Sequence, residues 1–208
     1  MSINQIIIKM TCTKVPTEKK LHRTRITEYK KQLRNYLMTS RFNDATWNEN
    51  TQYRKQNPSV GCIYCCPDPI AKIIPVESIM FILEMNNDNN KIMGIGMVRN
   101  HPIVQKYTVY SDGNYNRYVF IGKNYISRLE MTGEEERIMK LFDVLCFSGN
   151  KHMKRGQGLK SFPIDMLYRM SNVLDLVNFI GEMFKHRLTP TVSKQPLTSI
   201  VPFHSTVL

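Results

Sequence analysis

Acidic side chains are scarce in this chain: 17 Asp and Glu stand against 29 Lys and Arg in 208 residues, a net charge of +12. The isoelectric point near 9.5 lies above about 9, the range of basic nucleic-acid binders. Long apolar runs are missing too. Without a stretch of about 18 apolar residues no membrane span is expected, and the three-residue run Ile6-Ile-Ile8 is too short for a secretory h-region. The expectation is an intracellular protein without membrane contact.

Other absences narrow the chemistry. Five cysteines, an odd number, do not make a disulfide framework, so a reducing compartment is expected. Cys62-Ile-Tyr-Cys65-Cys66 has the CxxC spacing, but no second pair follows at finger distance. Cys146 with His152, or Cys12 with His22, could complete a metal site only through the fold, and buried structural thiols are the reading adopted here. The spacing GxxxxGK[ST] is missing, as is a GxGxxG opening a helix. No Ser/His/Asp set or carboxylate pair stands out. No catalytic residue, metal or cofactor is therefore assigned, and the chain is read as a non-enzyme.

An apolar share of 42% and an aromatic share of 10% supply enough core for a folded domain. Three regions are expected: a basic N-terminal helical extension over 1–40, an α+β domain over 41–187 and an irregular tail over 188–208, which contains Pro190, Pro196 and Pro202. Eight basic residues lie between Lys14 and Arg34 against Glu18 and Glu28 alone, which reads as a basic helix from about Leu21 to Met38. Ser40 to Val60 reads as a loop with at most a short helix, with Asp44 as its N-cap.

The centre has period 2. Residues 78–85 and 91–99 flank the polar turn Asn86-Asn-Asp-Asn-Asn90 and predict a β-hairpin. In its second strand Gly94 and Gly96 share a face, the mark of a bulge or a close approach. Further short strands around Tyr107 to Tyr110, Arg117 to Ile121 and Tyr125 to Leu129 predict a small antiparallel, barrel-like sheet over about 60–130. Period 3.6 returns at Thr132, predicting helices over 132–146 and 164–187 that enclose the sheet.

Between Asp143 and Asp165 there is no acid, and Gly149-Asn-Lys-His-Met-Lys-Arg-Gly-Gln-Gly158 lies within that gap. Its glycines permit unusual backbone angles, and Lys151, Lys154 and Arg155 place positive charge among exposed N–H groups, as a phosphate-binding loop needs. A solvent-exposed connector is the competing reading. The nucleic-acid contacts assigned are Lys151, His152, Lys154, Arg155, Gln157 and Lys160, with Arg99 and Arg117 on the same positive surface. Arg155 carries the most weight, because a guanidinium can meet phosphate or a base edge with two hydrogen bonds. Trp47, the sole tryptophan, and Tyr118 and Tyr125 are assigned to base stacking, worth about 1–3 kcal/mol per base. Core packing accounts for the aromatics equally well.

A lone Trp in a polar stretch, the strand Lys91-Ile-Met-Gly-Ile-Gly-Met-Val98, the strand Asn116-Arg-Tyr-Val-Phe120 and a helix leading into a basic glycine loop together resemble the PUA-like superfamily, nearest to its EVE, ASCH and YTH domains. The resemblance covers about 45–165. It implies a small twisted barrel flanked by helices, and recognition of RNA or of modified or unpaired bases in an aromatic pocket. The further cage tryptophans of YTH domains are absent. Phe81-Ile-Leu-Glu-Met-Asn-Asn87, Gly94-Ile-Gly96 and Lys154-Arg-Gly-Gln-Gly158 also resemble proteins of giant nucleocytoplasmic DNA viruses, which implies the host cytoplasm, a viral factory or the virion as location.

Two functions stay open. One is a nucleic-acid-binding module, RNA being favoured over DNA, with the C-terminal tail available to a protein partner. The alternative is a structural or scaffolding protein of a virion or assembly with a basic surface. Binding requires basic residues that converge on a concave face; scaffolding leaves them scattered beside a large apolar patch.

Overall fold

The computed structural model describes residues 17–103 and 107–189. At its centre are β3 (Ile79–Asn86) and β4 (Lys91–Arg99), antiparallel and joined by a tight turn, as the alternation around the asparagine turn predicts. Asn86 Oδ1 accepts from the backbone of Asp88 and Asn89 at 3.0 Å each, which fixes that turn through a side chain. β1 (Asn35–Phe42) pairs with the other edge of β3 in parallel. β6 (Asn124–Ser127) extends the sheet beyond β4, and the two-residue β7 (Lys160–Ser161) extends it beyond β1, giving the order β6-β4-β3-β1-β7.

The fold class is thus α+β, but the five-stranded sheet is mixed and open. A wholly antiparallel sheet was expected. It fails at β1, whose parallel pairing with β3 requires a crossover; α2 (Asp44–Gln56) and β2 (Cys62–Cys66) supply it. β1 also runs across position 40/41, where the sequence reading put a domain boundary.

Each face of the sheet has its own cover. Phe81, Leu83 and Met85 of β3 and Ile92 and Ile95 of β4 pack on Met139 and Phe142 of α3 (Gly133–Phe147), Leu167 of α4 (Ile164–Ser171) and Ile180 and Phe184 of α5 (Leu176–Leu188). The alternate residues Met80, Ile82 and Val98, with Met38 and Phe42 of β1, pack on a second, two-stranded sheet of β2 and β5 (Tyr118–Gly122). With both faces buried, β1 and β3 lose the polar alternation of a half-exposed strand.

The helices differ from expectation in three places. The N-terminal helix, α1 (Glu18–Gln32), stops before Leu33, which is extended, and Leu37 belongs to β1. α2 is a full helix of 13 residues where a loop was expected, and its N-cap is Asn43, whose side chain accepts from Thr46 N at 2.8 Å. The helix expected over 164–187 is two, α4 and α5, separated at Asn172 to Asp175, where Asp175 caps α5. α3 starts on Thr132 with the capping box that its acidic first turn announces. No strand forms over 107–110. Among the described residues no helix is long and apolar enough to cross a membrane. Residues 190–208, nearly all of the predicted tail, and Cys12 lie outside the described residues.

Candidate nucleic-acid interface

The carboxyl end of β1 opens into a cleft of about 300 Å³, at the lower end of the range for small-ligand sites. Ser40, Arg41 and Phe42 form one wall, and Asn43 and Thr46 of the first turn of α2 continue it. Cys65 of β2 contributes from the second sheet, and Tyr110 and Tyr115 stand opposite with their rings edge to face at 6.3 Å. Gly156, Gln157 and Gly158 close the top, and Asn87 of the β3–β4 turn closes the end.

The glycine loop takes this position because two side chains hold it from below. Arg41 donates from Nε to the carbonyl oxygen of Met153, and Asn87 donates from Nδ2 to that of Lys154 at 3.1 Å. Beyond these points Gly156 and Gly158 adopt φ of 109° and 61°, left-handed conformations that other residues avoid. The Cα of Gly158 lies so close to Cys66 that a Cβ there would meet the Cys66 side chain at 2.6 Å.

Arg41 sets the electrostatics of the cleft. Four other arginines have carboxylate partners: Arg54 with Glu84 at 3.5 Å, Arg128 with Glu136 and Asp143 at 2.8 Å each, Arg169 with Asp165 at 3.0 Å, and Arg187 with Glu135 at 2.7 Å. Arg41 has none among the described residues, and its Nη1 is buried without a hydrogen-bond partner. Burial pushes its guanidinium below the ordinary arginine value, yet it keeps its charge, because arginine does not deprotonate in proteins. Asn87 Oδ1 is the matching orphan. Its amide nitrogen faces the Lys154 carbonyl, so the oxygen must face the other way, and it too is buried without a partner. Leaving such groups unmet costs about 1–3 kcal/mol each.

The first turn of α2 offers little to an anion. In the first turn of α2, Asp44 N is bound by Asp88 Oδ2 at 2.8 Å and Thr46 N by Asn43. The cleft also lacks an activated nucleophile, because burial raises the Cys65 thiol and the Tyr110 hydroxyl far above their ordinary values. Within its walls are an unpaired donor and an unpaired acceptor, both closed off from solvent, and aromatic rings line it.

The residues chosen from sequence divide around this cleft. Gln157 lines it, and Lys160 and Arg41 both lie beside Gly156, each side chain 3.9 Å from where a Cβ on Gly156 would stand. Lys151 and Arg155 are exposed on the same loop. Lys154 is tied to Asn90 Oδ1 at 2.8 Å, and His152 is half-buried with Nδ1 unpartnered. Arg117 is exposed beside Tyr118, whose strand partner Cys66 touches Gly158, so it shares this end of the molecule. Arg99 does not. It pairs in register with Ile79 at the opposite end of the sheet and donates to the Glu77 carbonyl at 3.2 Å.

The aromatics divide as well. Tyr118 does not line the cleft. The Tyr125 hydroxyl fills the space above Gly94, and the Tyr64 hydroxyl that above Gly96, so the close approach the glycines announce comes from the protein's own rings. Tyr64 donates to the fully buried Glu84 at 2.8 Å; burial raises Glu84, and Arg54 opposes that rise. Trp47 stands on α2, half-buried, edge-on to Phe42 at 5.4 Å. Arg41, Asn87 and Tyr115 were not assigned from sequence. Nothing in the sequence marks an arginine as lacking acids around it in space.

Cys62, Cys65, Cys66 and Cys146 are buried free thiols; burial pushes Cys62 and Cys146 up to about 12 and Cys66 up to about 11. No protein-family model, no curated protein and no solved structure matches this chain.

Proposed function

We propose that the protein is a nucleic-acid-binding module that takes an unpaired base, RNA being favoured, into the cleft at the end of β1. The observation that carries this reading is the pair of orphans in the cleft wall, Arg41 Nη1 and Asn87 Oδ1. A base edge presents an acceptor beside a donor, the two kinds of group that these orphans lack. A phosphate presents acceptors only and would leave Asn87 Oδ1 unmet. The phosphates of the strand instead meet Arg155 and Lys160 beside the cleft and Lys151 on the same loop, which have no carboxylate partners among the described residues. Barrel-like, PUA-like architecture belongs to the same proposal, and β5 running against β4 supports it.

Fluorescence anisotropy with a labelled single-stranded RNA, its duplex and an abasic strand of equal length tests the reading. The single strand is expected to bind most tightly, and the abasic strand to lose about 1–3 kcal/mol while keeping the salt slope. Equal affinity for all three would overturn it.

A further inference from the structure

A second concavity lies beside the cleft along α2. Thr46 lines the cleft, and the next residue, Trp47, lines a shallower groove of about 370 Å³ with Thr51, Arg54, Lys55 and Tyr125. Phe42, on the cleft side, meets Trp47 at 80°. Positions 47, 51 and 54 recur at helical spacing, so one face of α2 forms one side of the groove.

The groove is built from flat groups. The Arg54 guanidinium lies 4.5 Å over the Tyr125 ring and 5.5 Å from the Trp47 ring. Tyr125 is wedged above Gly94 and holds the guanidinium from beneath. Arg54 reaches one carboxylate, Glu84, at 3.5 Å, and Glu84 already accepts from Tyr64. Arg54 is 12% exposed, its charge partly offset by Glu84 and one face covered by Tyr125, so it braces the Trp47 ring from the side and adds positive charge beside it. Thr51 Oγ1 is buried with no hydrogen-bond partner, an orphan that helical threonines usually avoid by bonding to the preceding turn.

We infer that Trp47, Arg54 and Tyr125 form a second subsite, for the base adjacent to the one in the cleft. That base stacks on the open part of the Trp47 ring beside the Arg54 guanidinium and leaves its phosphate near Lys55, which is exposed beside the groove. The inference rests on the reading of the cleft as a base site, since the nucleotide there delivers its neighbour to the groove.

Trp47 is the only tryptophan, so its emission reports on this groove alone. Uridylates of one to four nucleotides are suitable probes, because they stack little on themselves and stacking on protein groups tolerates any base. Affinity is expected to rise roughly ten- to hundredfold from one to two nucleotides, with quenching of Trp47 appearing at that step. In Arg54→Lys, which keeps the cation beside Glu84, the step shrinks to a few-fold, as it does in Trp47→Phe; thermal melts establish that both variants are folded. If uridylates bind but the step is the same size in both variants, the second subsite is refuted and the cleft reading survives. If wild-type protein binds no uridylate at low salt, the cleft reading fails as well.

Discussion

Arg41 holds the Met153 carbonyl through Nε while its Nη1 lies buried with no hydrogen-bond partner among the described residues. One side chain therefore fixes the glycine loop and keeps a second donor unpaired, the donor that the proposed site uses. Replacing it separates the two roles. Arg41→Met removes a buried unpaired cation and one hydrogen bond, changes that oppose each other, so the melting temperature should move by no more than about 4 °C, the equivalent of roughly 1 kcal/mol. Affinity for single-stranded RNA should fall about tenfold to a hundredfold, the loss of one charged hydrogen bond. A variant that binds RNA normally would remove Arg41 from the site.

Gly149 and Gly158 both have positive φ, 74° and 61°, but their surroundings differ. A Cβ on Gly149 meets nothing within 4 Å, whereas one on Gly158 runs into Cys66 and Pro67. Gly149→Ala should cost only the left-handed strain, about 1 kcal/mol. Gly158→Ala adds an overlap in a packed region, for a loss of about 2–4 kcal/mol, and should displace Gln157 from the cleft. Melts of the two variants compare these costs, and equal losses would show that the loop lifts freely off Cys66.

The β3–β4 hairpin and α3 were legible in the sequence because each has a local device, an asparagine turn in one and a capping box in the other. β2 was not, since all five of its residues are buried and a strand buried on both faces shows no period. α2 was hidden for the opposite reason. Its only buried residue is Asn50, which donates to the Ile63 carbonyl and the Tyr110 hydroxyl at 2.8 and 2.9 Å, so it presents no apolar stripe. Of the candidate site, the glycine loop stood out by composition. Arg41 did not, because its role depends on which carboxylates the fold places elsewhere.

Removing the loop charges should change the salt dependence more than the base preference. Lys151, Arg155 and Lys160 have no carboxylate partner among the described residues, whereas Lys154 is engaged with Asn90. Substituting the first three with Ala should flatten the slope of log K against log salt by about 0.7 for each lost contact on a single strand. Lys154→Ala alone should leave the slope near its wild-type value. A triple variant with an unchanged slope would make the loop a connector.

Acid should weaken the fold at the helix layer. Hydrogen bonds from Arg187 hold Glu135 below its ordinary value of 4.5, and those from Arg128 do the same for Glu136. A carboxylate whose native pKa is depressed contributes stability above its unfolded value and loses it as pH falls through the native one. Melting temperature should therefore hold steady down to about pH 4.5 and decline below it, with a shallower decline in Glu136→Gln, which starts from lower stability. A decline no shallower in that variant than in wild type would exclude Glu136 as a source.

Trp47 can be tested for two losses at once. It is half-buried between Phe42 and Arg54, so Trp47→Ala should cost less than the 3–5 kcal/mol of a fully buried aromatic, about 2 kcal/mol, seen as a fall of roughly 4–8 °C in melting temperature. Stacking releases no counterions, so single-strand affinity should drop by about 1–3 kcal/mol with the salt slope unchanged, opposite to the pattern of the loop variant. Trp47→Phe keeps a ring against Phe42 and should recover most of the stability but only part of the affinity, because the smaller ring covers less of a base. If both variants lose stability and neither loses affinity, Trp47 is a packing residue of α2, and the strand must leave the cleft by another side.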